Sequence, residues 1–239
     1  MNQHDKAALF KSLHIKGDPL VLYNIWDAGG AKALADAGAP AVATGSWSMA
    51  AVHGFADGEK MPLDFVLQIV ARIAASVDLP LTVDFEGGYA TDPTEVAQNV
   101  TKVMQAGAIG INFEDRIVQG EGLYSVTAQA ERIKAIRAAA DAAAVPLFIN
   151  ARTDLFLGSD PATHAALIDE ALTRAAAYAA AGADGFFVPG LADASLIQLV
   201  TETASLPVNV MMMDALTSIS DVAALGVSRA SFGPGPYIS

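Results

Sequence analysis

The chain has 239 residues, 53% apolar and 17% charged, enough for one α/β domain with a full core and too apolar for a disordered chain. Its formal charge of -12 excludes the basic face that nucleic acid or an anionic membrane requires, so a small anionic substrate would need an arginine or a bound cation to enter. There is no cysteine, which excludes disulfides, thiolate metal sites and a thiol acid, base or nucleophile.

The first residues lack a signal-type apolar core, and no run of about eighteen apolar residues escapes a charge, Gly or Pro; a cytoplasmic protein is the expectation. Residues 5–15 place Ala8, Leu9 and Leu13 at helical spacing, predicting a leading helix within 1–17 that caps one end of the fold. From there the sequence repeats with a coarse period of about thirty residues. Strand-like runs follow prolines at 20–25, 81–85, 147–150 and 208–212. Others follow Gly-containing steps at 41–44, 109–113, 185–188 and 227–232. Helical segments at 28–37, 62–77, 93–106, 125–144, 163–181, 192–204 and 218–225 separate them, with Asp92-Pro93 opening one and Gly107 and Gly182 closing two others. The strands read as apolar on both faces, as parallel strands covered by helices are.

Eight strands alternating with helices in one domain over 1–239 predict a (β/α)8 TIM-type barrel, with an open doubly wound sheet as the alternative. After the eighth strand comes Gly233-Pro234-Gly235-Pro236, and no eighth helix is expected between there and Ser239. A bare apolar wall there would cost on the order of 10 kcal/mol. Further residues, or a helix exchanged with a partner subunit, are expected to cover it, and a homo-oligomer, dimer or tetramer, follows.

In such a barrel chemistry sits at the carboxyl ends of the strands. The stretch 79–90, Leu-Pro-Leu-Thr-Val-Asp-Phe-Glu-Gly-Gly-Tyr-Ala, is a proline-led strand ending in two carboxylates and paired glycines. While the backbone stays extended, Asp84 and Glu86 point to the same side, and a hard divalent cation such as magnesium would neutralise them. Other strand ends bring Trp26-Asp27, Thr44-Gly45-Ser46, then His53 and Asp57 in a longer loop, Glu114-Asp115-Arg116, Asn150-Ala151-Arg152-Thr153-Asp154 and Asn209. His53 reads as a structural or solvent-facing side chain, and Met211-Met212-Met213 as core and pocket lining.

This set resembles the isocitrate lyase and phosphoenolpyruvate mutase superfamily from about Val21 onward. The resemblance rests on Trp26-Asp27-Ala28, Gly45-Ser46, Asp57, Val83-Asp84-Phe85-Glu86-Gly87-Gly88-Tyr89, Phe113-Glu114-Asp115 and Asn150-Ala151-Arg152-Thr153-Asp154. It implies Asp84 as the direct ligand of magnesium, or manganese, with Asp57, Glu86 and Glu114 holding the ion's waters. It also implies that Arg152, Gly45 and Ser46 bind a 2-oxo carboxylate; Asn209, by its place at the end of the seventh strand, is expected as a further substrate contact. The implied chemistry passes through an enolate: cleavage or formation of a carbon–carbon bond, or a phosphorus–carbon variant.

Two features depart from that pattern. The lyase branch carries a Lys-Lys-Cys-Gly-His type segment after the fourth strand, whereas residues 115–124 here hold neither cysteine nor histidine, and no Asn-Ser counterpart of the mutase gating loop. Gly120 and Gly122 suit a lid, and Glu121 and Tyr124 are the candidate acid or base within it. Glu86 stands where better-known members have aspartate. A metabolite-binding barrel that has lost its catalytic loop is therefore the competing reading.

Overall fold

In the computed structural model, which describes residues 1–213 and 215–238, the first stave of the sheet is split at Tyr23 into β1 (Leu20–Leu22) and β2 (Asn24–Ile25). The split lets one stave close the sheet. β1 pairs with the last strand, β9 (Arg229–Ser231), and β2 with β3 (Val42–Thr44). Between them run β4 (Leu81–Asp84), β5 (Gly110–Glu114), β6 (Phe148–Arg152), β7 (Gly185–Phe187) and β8 (Val208–Met211), each parallel to its neighbours. The result is the predicted TIM-type barrel, not an open sheet. Asn24 fastens the closure. Its Nδ2 donates to Thr44 O (2.8 Å), and its Oδ1 accepts from the N–H groups of Phe232 (3.1 Å) and Gly233 (2.8 Å).

The helices are α1 (Gln3–Ser12), α2 (Ala28–Asp36), α3 (Ser46–Val52), α4 (Leu63–Ala74), α5 (Pro93–Gln105), α6 (Val126–Ala142), α7 (His164–Ala180), α8 (Ala194–Thr203), α9 (Ile219–Ala224) and α10 (Gly235–Ile238). Local chemistry sets several boundaries. Asp92 caps α5 by accepting from Thr94 N (2.8 Å) and Glu95 N (3.2 Å), and Pro93 opens the first turn. The sequence shows only a longer loop carrying His53 and Asp57 after the predicted strand at 41–44; α3 begins there without a side-chain cap, so no start residue announces it. After β9, a single helical turn, α10, stands where a full eighth helix would follow.

Strand alternation separates two environments. Outward residues Val83, Ile111, Ile149, Phe186 and Val210 pack with helix residues such as Val70, Val100 and Ile133 in one large core. Inward residues at the amino ends, Leu20, Leu22, Ala43 and Phe148, form a second cluster with Phe10 of α1, so the leading helix plugs that end. The interior is polar above this plug, which corrects the expectation of strands apolar on both faces. Asn150 Nδ2 donates to Asn112 Oδ1 (2.9 Å), Arg229 Nη2 to the same oxygen (3.2 Å), and Ser231 Oγ to Asn209 Oδ1 (3.2 Å). Among the described residues, no helix is long and apolar enough to cross a membrane.

Candidate active site

At the carboxyl ends of the strands lies a cavity of about 270 Å³ whose lining includes Ser46, Asp57, Asp84, Asn112, Arg152 and Ser231. Asp84 ends β4 with its N–H bonded to Thr44 Oγ1 (3.0 Å). Its Oδ2 accepts from Ser46 N (3.1 Å) and Ser46 Oγ (2.7 Å). Its Oδ1 is buried with no hydrogen-bond partner among the described residues. Such an orphaned anionic oxygen is costly unless a cation or water meets it.

Arg152 ends β6 directly beside Glu114 of β5, its register partner. Nη1 lies 3.1 Å from Glu114 Oε2, while Nε and Nη2 donate to Asp154 Oδ1 (2.5 Å) and Oδ2 (2.9 Å). Burial disfavours the charged guanidinium, but Glu114 and Asp154 outweigh it and hold Arg152 firmly protonated. Asp154 is itself held, its N–H donating to Asp115 Oδ1 (3.0 Å). Asp115 is fully buried, accepting at Oδ2 from Arg174 Nη1 (3.0 Å) and Tyr178 OH (2.8 Å).

The other predicted acids stand at different distances from this centre. Asp57 lines the cavity beside Asp84; desolvation first and the Asp84 charge second raise its pKa. Glu86 departs from the extended-chain expectation. The strand ends at Asp84, and Glu86 takes a left-handed φ of 49°, so strand alternation no longer sets the direction of its side chain. Its Oε2 accepts from Glu59 N (2.7 Å), and burial, then Asp57 and Asp84, push its pKa up to about 8. Glu114 sits behind Arg152, its pKa raised by burial against the pull of that arginine. Among the described residues, no three acid or histidine side chains converge as a ready-made ligand set. One bare carboxylate oxygen with further acids nearby suits a hard cation that keeps most of its own water, the coordination habit of magnesium.

The predicted substrate contacts fare unevenly. Gly45 is required for close approach, since a Cβ there would meet Ser48 Oγ at 2.9 Å and Asn24 Cβ at 3.3 Å. Its N–H is already spent on Ile25 O (3.0 Å), and both Ser46 donors are spent on Asp84. Asn209 is buried outside the cavity lining and accepts at Oδ1 from Ser231 Oγ (3.2 Å), which does line it. Glu121 is exposed on the 116–124 segment, outside the cavity lining. Tyr124 faces a separate small recess and lies 4.1 Å from the Arg132 guanidinium, to which it presents its ring. His53 is exposed and bonds Met49 O (3.2 Å), as a structural histidine does.

A family model described as phosphoenolpyruvate phosphomutase matches residues 10–239. The chain belongs to that family. An uncharacterised Mycobacterium tuberculosis protein is 33% identical over 228 residues, spanning 95% of this chain and 83% of that protein. The 2-methylisocitrate lyase of Salmonella typhimurium is 30% identical over 214 residues, 87% of this chain and 70% of the lyase. A Burkholderia cenocepacia structure, provisionally named a phosphonomutase, superposes with a TM-score of 0.96 at 49% identity, covering 99% and 94% of the two chains. The phosphomutase superfamily thus contains enzymes, lyases and mutases among them.

Against the phosphomutase-family resemblance, sequence reasoning missed Asn24, Asn112, Ser231, Trp47 and Phe187, all of which line the cavity. Asn112 was within reach: it precedes Glu114 by two residues, and alternation puts both on the inner face. Met211 and Met213 line the cavity as expected.

Proposed function

We propose that this chain is a magnesium-dependent enzyme acting on a small 2-oxo or 2-hydroxy carboxylate through an enolate, cleaving or forming a carbon–carbon bond. The observation that carries the reading is the unpartnered, buried Asp84 Oδ1 in the same cavity as Arg152. Asp84 would hold the ion, with Asp57 nearest to its water shell and Glu86 and Glu114 farther back. When bound, the cation supplies positive charge where enolate oxygen develops. Arg152 offers the carboxylate a charge-assisted bond worth about 1.5 to 3 kcal/mol. Asp154 and Glu114 orient that guanidinium before substrate arrives, and Ser46 holds Asp84 still.

The proton group belongs to the 116–124 segment in this reading. Glu121 reaches the cavity by closure of that segment, for which Gly122, at φ 73°, offers a hinge. Tyr124, clasped by Arg132, does not serve in that role. The reading also includes a cytoplasmic homo-oligomer, which sedimentation of the purified protein tests. The provisional name of the Burkholderia protein favours a phosphorus–carbon variant on the same platform. The exposed position of Glu121 favours the alternative of a metabolite-binding barrel without turnover.

Titration calorimetry of oxalate, which mimics the enolate of pyruvate, is the test. Binding should need magnesium and vanish in Asp84→Ala. Equal binding with chelator present would remove the metal from the reading. Turnover of any 2-oxo or 2-hydroxy acid, abolished by chelator, would eliminate the binding-protein alternative.

A further inference from the structure

The mouth of the barrel is divided by chemistry. The loops after β3 to β6 carry Ser46, Asp57, Asp84 and Arg152 to the cavity. From the next two strand ends come only apolar side chains, Phe187 and Pro189 at β7 and Met211 and Met213 at β8, joined by Leu157 from beyond β6, before Ser231 of β9 returns a polar group. Phe187 pairs in register with Arg152, so the apolar half begins directly beside the carboxylate-binding arginine. Leu157, Met211 and Met213 are only partly buried, so this wall is accessible surface and not simply core. Among the described residues Arg152 is the one cationic side chain in the lining, and Asp154 and Glu114 already claim most of its donors. It can serve one substrate carboxylate; a second anionic group would lie against Phe187 and the methionines, stripped of water and unpaired.

Resting on the enolate-site reading above, we propose that the site selects a 2-oxo carboxylate whose remainder is uncharged and apolar, a branched alkyl chain seated on Leu157, Phe187, Met211 and Met213. Methionines suit this task because their unbranched, polarizable chains adapt to irregular apolar shapes. Each methylene buried there should tighten binding about fourfold. Of the further cations, Arg229 is fully buried and donates to the lining residues Asn112 and Ser231, while the exposed Arg116 lines a separate open groove with Leu123, Leu155 and Ser159. That groove shares Leu157 with the cavity, so Arg116 is the solvent-facing residue that a charged remainder would meet on that side.

The experiment is titration calorimetry at saturating magnesium with oxalate, pyruvate, 5-methyl-2-oxohexanoate and 2-oxoglutarate. The last two differ in presenting an isopropyl or a carboxylate group at the same distance from the 2-oxo acid. The branched acid should bind at least about tenfold more tightly than 2-oxoglutarate, and more tightly than pyruvate. Met213→Arg and, independently, Leu157→Arg should narrow or reverse that preference. An equal or stronger affinity for 2-oxoglutarate in the wild type overturns the inference, and its loss in Arg116→Gln would show which cation reads the second carboxylate. An unchanged preference in both arginine variants also overturns it. Failure of oxalate itself, by contrast, removes the enolate site and this inference with it.

Discussion

Ser46 donates both its backbone N–H (3.1 Å) and its hydroxyl (2.7 Å) to one oxygen of Asp84, Oδ2, and so leaves Oδ1 as the bare face of that carboxylate. The arrangement fixes which oxygen meets a cation. Ser46→Ala removes one of the two donors and keeps the other, so magnesium-supported oxalate affinity should drop about tenfold, the worth of one charge-assisted bond. Asp84→Asn should abolish it. Calorimetry of both variants, with melting curves to show that the fold survives, checks the ranking; equal losses would mean that the hydroxyl does more than hold the carboxylate.

Arg152→Lys tests geometry separately from charge. The guanidinium spans Asp154 through two parallel bonds and reaches Glu114 with its remaining nitrogen. An ammonium group keeps the charge but cannot span both partners. Oxalate affinity should therefore fall by at least about tenfold in the lysine variant, approaching the loss in Arg152→Ala. A lysine variant as good as wild type would show that Arg152 acts as a point charge alone.

What could be read from the chain differs between these residues for a physical reason. Arg152, Asn150, Glu114 and Asp84 follow from strand alternation after a proline or glycine step, a local signal that fixes both the element and the inner face. Glu86 does not, because its direction depends on a left-handed backbone and on Glu59, which meets it only through tertiary folding. The spent donors of Gly45 and Ser46 were hidden likewise, since their acceptors are Ile25 and Asp84 on neighbouring strands. Tyr124 looked available in its loop until α6 placed Arg132 against its ring. The barrel itself was legible because eight proline- or glycine-led strands repeat one local pattern, whereas α3 carries no side-chain cap to announce it.

Asp115 couples stability to the site. It is fully buried between Arg174, Tyr178 and the N–H of Asp154. Asp115→Ala leaves Arg174 with Glu170 as its carboxylate partner but strips the Asp154 N–H and the buried Tyr178 OH of their acceptor, and should cost about 1 to 3 kcal/mol of unfolding free energy. Because Asp154 then loses its anchor, Arg152 loses its orientation, and oxalate affinity should fall in whatever fraction remains folded. Chemical denaturation gives the first quantity and calorimetry on the folded protein the second. Asp115→Asn, which keeps an acceptor, should recover much of the stability.

His14 should set part of the acid limb of stability. Its ring stacks on Phe148 at 4.1 Å, Nδ1 faces Phe10 O at 2.9 Å, and Nε2 is buried with no partner. Burial first, and the Arg229 charge second, push its pKa down to about 3 from 6.5. Above pH 6.5 the ring is neutral in both folded and unfolded chains and costs nothing. As pH falls from 6.5 towards 3, the unfolded chain takes up the proton and the folded chain does not, so unfolding is favoured. The slope approaches about 1.4 kcal/mol per pH unit and the loss is on the order of 5 kcal/mol in all. His14→Gln cannot be protonated there, so its denaturation free energy should fall less steeply than wild type between pH 6 and 4. Parallel curves for the two proteins would show that the imidazole titrates in the folded state too, and that the plug formed by Phe10 and Phe148 admits water.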